Sequence, residues 1–253
     1  MKLAIMQPYF LPYIGYWQLM VQSDHWIFFD IVKYNKKSWM NRNRILHPEA
    51  GKEFQYISVP VKKSRHDALI REIKIDNKRA WQKEITGKFT LYKRLNAPSY
   101  HQTIDLISKI IDVKYVYLLD LLIASCENIM RTLGFHFDFS IASEIEFEKE
   151  KVSSPGDWAV YLSKAKKVET YINPYSGFEI FDEEKFLSHG IKLRFLRSKL
   201  TAYNQSKRIQ FIPALSIVDV LMFNKWEKVA NMLRRDFEIL TKEQLQNEME
   251  ETH

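Results

Sequence analysis

Leu3-Ala4-Ile5-Met6 and Trp26-Ile27-Phe28-Phe29 are short, unbroken apolar runs, the pattern of strands buried on both faces in a parallel sheet covered by helices. Tyr13 to Gln22, between them, predicts the crossover helix of a right-handed strand–helix–strand unit. Ile57, Val59 and Val61, then Ile73 and Ile75, alternate with polar residues instead. That period of two predicts a half-buried antiparallel ribbon near residues 54–76, turned by the basic stretch Lys62-Lys63-Ser64-Arg65-His66.

Trp81, Ile85, Phe89 and Tyr92 recur at helical spacing, as do the apolar residues from Tyr115 to Leu133, which Gly134 closes. Both stretches predict core helices. Ser154-Pro155-Gly156-Asp157 predicts another helix start, with Ser154 as cap. Asp182 to His189, stopped by Gly190, predicts a short helix feeding a strand through Ile191, Leu193 and Phe195. Ser216-Ile217-Val218-Asp219 has the form of a capping box for a last helix running to Arg235. Strands separated by helices give an α/β fold: a mostly parallel sheet with flanking helices, plus the basic ribbon. A single domain is expected over residues 1–235. Residues 236–253, with six acids against one lysine, are expected to fray.

Composition narrows the function. Seven glycines in 253 residues, at 15, 51, 87, 134, 156, 177 and 190, form neither a G-x-G-x-x-G turn nor a phosphate loop. One cysteine, Cys126, excludes an internal disulfide framework and a cysteine-built zinc site. The seven histidines have no paired metal spacing, so no metal site is expected. No run approaches the ~20 apolar residues of a membrane span, and the first apolar run is too short for a signal peptide, so a cytoplasmic location is expected. The net charge of +7 is unevenly spread: residues 1–100 hold 18 Lys and Arg against 8 Asp and Glu, leaving 20 against 23 in the remainder. A field concentrated in one half favours an anionic partner.

Three clusters could carry chemistry. Gln7-Pro8-Tyr9-Phe10-Leu11-Pro12-Tyr13-Ile14-Gly15-Tyr16 follows the first strand, where open α/β sheets place their ligand crevice. Its aromatic faces can stack a ring, and Gly15 permits close backbone approach. Asp30 ends the second strand at the same sheet edge, ahead of Lys33-Tyr34-Asn35-Lys36-Lys37-Ser38-Trp39-Met40-Asn41-Arg42-Asn43-Arg44. Lysine and arginine supply phosphate contacts, and the amides can read polar edges. The third cluster is Tyr203-Asn204-Gln205-Ser206-Lys207-Arg208 before the Ser216–Asp219 helix start, a polar and basic approach to a helix N-terminus. Asp219 has a purely structural reading as a cap beside its reading as a ligand contact.

These clusters resemble the WbqC-like family, bacterial proteins often encoded among surface-polysaccharide genes. The resemblance rests on Ala4 to Tyr16; on Asp30 with Tyr34, Lys36, Trp39, Asn41, Arg42 and Asn43; and on Tyr203, Gln205, Phe211, Pro213, Leu215, Ser216, Ile217 and Asp219. The sequence departs from the family pattern at Ile31, Lys33 and Glu84, so Asp30 lacks the second acid that often follows it. The resemblance implies an aminoacyl (glycine) transferase of O-antigen or other lipopolysaccharide biosynthesis. More faintly, Tyr13-Ile14-Gly15-Tyr16 is similar in position to the H-x-G-H of nucleotidylyl transferases and pantothenate synthetase, which implies ATP as a candidate co-substrate.

The leading expectation is therefore a transferase that joins an amino acid, glycine first, to the amine of a nucleotide-linked or lipid-linked amino sugar. Asp30 is expected to be the general base. Arg42, Lys36 and Lys37 are expected to hold diphosphate. Gln7, Asn41 and Asn43 would orient substrate, Tyr9 and Trp39 would stack, and Gly15, Tyr16, Tyr203, Gln205 and Asp219 complete the site. The acyl donor is left among free glycine with ATP, a charged tRNA and a carrier-protein thioester. A nucleotide- or nucleic-acid-binding module without catalysis also accounts for the basic half and its aromatics, and a non-catalytic scaffold of polysaccharide assembly is a third reading.

Overall fold

The structure is a computed structural model, and it describes residues 1–49, 51–206 and 210–251. The two apolar runs become β1 (Lys2–Met6) and β2 (His25–Phe28), paired in parallel with Leu3 opposite His25 and Met6 opposite Phe28. The expected helix, α1 (Ile14–Gln22), crosses between them. With β5 (Phe139–Ile141), β6 (Thr170–Pro174), β7 (Lys192–Ser198) and β8 (Phe237–Leu240) they form a six-stranded sheet of order β5-β2-β1-β6-β7-β8. Every pairing in it is parallel except β7 with β8.

Alternation along the strands divides the core between the two faces of this sheet. Ala4, Trp26 and Phe28 face α1 and the helices α2 (Trp81–Arg94), α3 (Tyr100–Ile111), α4 (Leu118–Thr132), α7 (Ile217–Phe223) and α8 (Trp226–Arg235). Leu3, Ile5 and Ile27 face the smaller layer holding α5 (Asp157–Ala165), α6 (Glu183–Leu187) and α9 (Lys242–Glu250). Trp26 is fully buried, so truncating it to alanine should cost about 3–5 kcal/mol.

The antiparallel ribbon exists, but its main pairing differs from the expected one. Phe54–Ser58 (β4) pairs with Arg42–Leu46 (β3), while Val61 and Ile75 meet in a single bridge. Arg42 and Arg44 occupy the outer, half-buried face of β3; Asn43 and Ile45 occupy its buried face. The strand therefore reads as a basic loop unless the alternation is taken over all five residues.

Three termini also differ. The helix expected to start at Ser154 starts at Asp157, whose carboxylate accepts bonds from the backbone and hydroxyls of Ser153 and Ser154. The expected last helix breaks into α7 and α8 at Asn224, whose side chain bonds to the Val220 carbonyl while its own carbonyl accepts from Ser99 Oγ. The acidic segment expected to fray contributes β8 to the sheet edge and then α9, which opens with a Thr241–Gln244 capping box.

Candidate functional site

Gln7 leaves the carboxyl end of β1, and the chain turns sharply after it. Leu11 adopts a left-handed φ of +44°, which is strained for a side chain of its size. Several bonds hold it there. Asn43 Nδ2 donates to the Phe10 and Leu11 carbonyls, both at 3.0 Å, and Ser216 Oγ donates to the Leu11 carbonyl at 2.7 Å. Asn43 thus fixes the aromatic loop rather than offering its amide to a ligand. Tyr16 is similarly structural: its hydroxyl donates to the Gln7 carbonyl at 2.9 Å and its ring packs edge-on to Trp26. A Cβ on Gly15 would stand 2.6 Å from the Tyr13 ring, so this glycine makes room for that ring.

A basic cleft of about 710 Å³ opens beside Gln7. Lys33, Tyr34, Asn35, Lys36, Ser38 and Met40 form one wall; Ser64, Arg65 and His66, from the basic turn, form the other. The walls are drawn together by backbone pairing, with Tyr34 N donating to the Ala68 carbonyl and Ile70 N to the Val32 carbonyl. Lys33 Nζ sits against the His66 ring, 3.0 Å from Nδ1 and 3.3 Å from Nε2, and an ammonium can only donate to whichever of the two is unprotonated. The Tyr34 hydroxyl is buried without a partner among the described residues, and burial pushes its pKa up to about 12 despite the nearby Arg42. The phenol therefore remains a donor at neutral pH.

A second, smaller cavity of about 190 Å³ is walled by Tyr9, Pro12, Tyr13, Trp39, Asn43, Arg44 and Ala214. The Arg44 guanidinium lies 5.2 Å from the Trp39 ring and 4.9 Å from Phe54. Arg42 stacks on Tyr56 at 4.6 Å and donates to the Lys37 carbonyl at 2.7 Å. Both arginines are held on the outer face of the ribbon by aromatic rings.

Asp219 was expected to complete a capping box. Ser216 does cap α7, accepting from Val218 N, but the Asp219 carboxylate turns inward. It accepts from Tyr203 Oη at 2.5 Å, Tyr92 Oη at 2.8 Å and Gln205 Nε2 at 2.9 Å. It is fully buried, and desolvation outweighs those three bonds to raise its pKa to about 6. Gln205 also clasps both the N–H and the carbonyl of Ile212. Tyr203, Gln205 and Asp219 are thus a buried lock on the segment before α7, away from the basic cleft's lining. Lys207 and Arg208 lie outside the described residues.

Asp30 shares the sheet edge with Gln7, as expected, but its carboxylate does not face the cleft. It is fully buried, and its two oxygens accept from Ser143 N at 3.0 Å and Ser143 Oγ at 2.7 Å. Both oxygens are occupied in tying β2 to the chain after β5. Among the other expected contacts, Gln7 and Lys36 line the basic cleft, and Tyr9, Trp39 and Asn43 line the smaller cavity. Lys37 lines neither; Asn41 spends its Nδ2 on the Val59 carbonyl. Sequence reasoning placed Lys33 and Tyr34 in the second cluster but missed Ser64, Arg65 and His66, the wall that faces them. The signal was the basic turn, read only as a connection. Among the described residues, no three His, Cys, Asp or Glu side chains converge to hold a metal ion. No helix among them is long and apolar enough to cross a membrane.

The fold and site define an α/β protein with a basic cleft beside the carboxyl end of β1. The family model of the WbqC-like protein family matches residues 7–231, and the chain belongs to that family. It is 27% identical over 251 residues to "Uncharacterized protein Rv1507c" of Mycobacterium tuberculosis, covering 92% of this chain and 97% of that protein. No solved structure matches the chain.

Proposed function

We propose that the protein is a biosynthetic transferase that forms an amide between an amino acid, glycine first, and the amine of a phosphate-bearing amino sugar destined for O-antigen or another surface polysaccharide. One observation carries the reading: Lys33, Lys36 and Arg65 line a single cleft together with Gln7. Three cations at the carboxyl edge of a parallel sheet suit a diphosphate.

With the Asp30 carboxylate occupied by Ser143, we assign the general base to His66, the imidazole in the cleft wall. In the proposed step the amine nitrogen forms a bond to the carbonyl carbon of an activated glycyl group. Its proton passes to the unprotonated ring nitrogen of His66, which Lys33 Nζ vacates as it turns to the acceptor's phosphate. The bond to the leaving group breaks with its electron pair: adenylate if ATP activates glycine, the ribose oxygen of a charged tRNA, or a carrier thiolate. Tyr34 Oη and the lysines hold the acceptor's phosphates, and Gln7 orients the sugar.

The test offers isotopically labelled glycine in each donor form to the protein with nucleotide-linked amino sugars and follows product mass. His66→Gln should lower kcat by about 10²–10⁴-fold, the scale of general acid–base catalysis, while its melt stays near wild type. Binding of the sugar with no turnover under any donor would favour a second reading. That reading is a nucleotide-binding module without catalysis, supported by the stacking of Arg42 and Arg44 on Tyr56, Trp39 and Phe54.

A further inference from the structure

We propose that the small aromatic cavity is a ring-binding subsite, and that it selects a nucleoside diphosphate as the carrier of the sugar by taking the heteroaromatic base while the basic cleft takes the diphosphate. The inference rests on the cleft being the phosphate site.

The two cavities adjoin. Gln7 lines the cleft and Tyr9 lines the small cavity, and Tyr9 Oη donates to Gln7 Oε1 at 3.1 Å. They meet again along the chain, because Ser38 and Met40 line the cleft while Trp39, between them, lines the small cavity. Their chemistry is complementary in the sense a nucleotide requires. One wall set is cationic; the other offers Tyr9, Tyr13 and Trp39 ring surface, with a guanidinium fixed against Trp39. About 190 Å³ accommodates a ring system and excludes a whole nucleotide-sugar, for which the cleft of about 710 Å³ has room.

The lining of each cavity also includes a residue whose buried donor has no partner among the described residues. Tyr34, a cleft residue only 6% exposed, has a buried hydroxyl with no partner among the described residues, and Arg44, a residue of the aromatic cavity, has such an Nε. Buried donors are normally satisfied, so an unpaired one just behind a cavity wall is there for a ligand acceptor once its side chain turns outward. A phosphate oxygen meets the first requirement. A ring carbonyl or ring nitrogen of a base meets the second, and a polyprenyl chain has no acceptor to offer it.

Calorimetric titration of the full chain with inorganic pyrophosphate, the uridine, thymidine, cytidine and guanosine diphosphates, and farnesyl diphosphate tests this. At least one nucleoside diphosphate should bind about tenfold more tightly than pyrophosphate, the scale of one base stacked on an aromatic side chain. Trp39→Ala should erase that preference and leave pyrophosphate affinity within about twofold, and Trp39→Phe should restore much of it. Equal binding of pyrophosphate and every nucleoside diphosphate would overturn the ring subsite alone and leave the phosphate cleft standing. Tightest binding of farnesyl diphosphate would replace the nucleotide with a lipid carrier. Loss of pyrophosphate affinity in Trp39→Ala would show that Trp39 supports the loop rather than a ring. No binding of any anion would overturn the cleft and the subsite together.

Discussion

The hydroxyl of Tyr9 donates to Oε1 of Gln7 at 3.1 Å, so one hydrogen bond sits in the wall between a cationic cleft and an aromatic cavity. Tyr9→Phe keeps the ring and removes the bond. It should cost about 0.5–1.5 kcal/mol of stability and leave KM little changed. Gln7→Ala should instead raise KM, because it removes a group that lines the cleft itself. Steady-state kinetics and melts of the two variants check the pair.

Asp30 separates scaffold from chemistry. Asparagine at this position presents one acceptor and one donor where Ser143 supplies two donors. Asp30→Asn should lose about 1–3 kcal/mol of stability while the folded fraction turns over at the wild-type rate. A variant that melts normally but has lost 10²-fold or more in kcat would return the general-base role to Asp30.

The Asp219 carboxyl should give stability a specific pH dependence. Its pKa is raised to about 6 in the folded protein, above its ordinary value of 3.8, so the folded state binds the proton more tightly than the unfolded one. The resulting stabilisation is fully present below about pH 4 and is lost as pH rises through 6. Asp219→Asn abolishes that titration. The melting-temperature difference, wild type minus variant, should therefore decline between pH 4 and 6 and level off above. A difference that does not change with pH would show that Asp219 titrates alike in both states.

The cleft cations should act on binding. Arg65 is 72% exposed and pairs with Glu72 at 3.3 Å, an ion pair worth little to stability. Arg65→Ala and Lys33→Ala should each raise the KM for a phosphate-bearing acceptor by roughly tenfold, with kcat nearly unchanged and a weakened salt dependence. A fall in kcat at constant KM would place these residues at the reacting atoms instead.

The β1–α1–β2 unit was legible because its strands are buried on both faces and so appear as unbroken apolar runs. The edge β3 was not, because its outward residues are arginines whose charge masks the period of two. The Thr241–Gln244 capping box of α9 was readable locally, but the acidic composition around it argued for disorder. The site divides in the same way. Gln7, Tyr9, Lys36 and Trp39 sit in contiguous, chemically unusual stretches, and they do reach the two cavities. Asp30 finds Ser143 at a separation of 113 residues and Asp219 finds Tyr92 at 127, and no local pattern encodes such partners. The wall formed by Ser64, Arg65 and His66 is likewise brought to Lys33 and Tyr34 by tertiary pairing.

The most direct measurement is a diffraction structure of the protein with a nucleotide-linked amino sugar at saturating concentration. The account predicts the diphosphate against Lys33, Lys36 and Arg65, a phosphate oxygen on Tyr34 Oη, and the sugar amine within hydrogen-bond reach of His66. A ligand seated elsewhere, for instance in the cavity of Arg94, Asn96, Asn204 and Ser206, with the basic cleft holding only solvent, would contradict it.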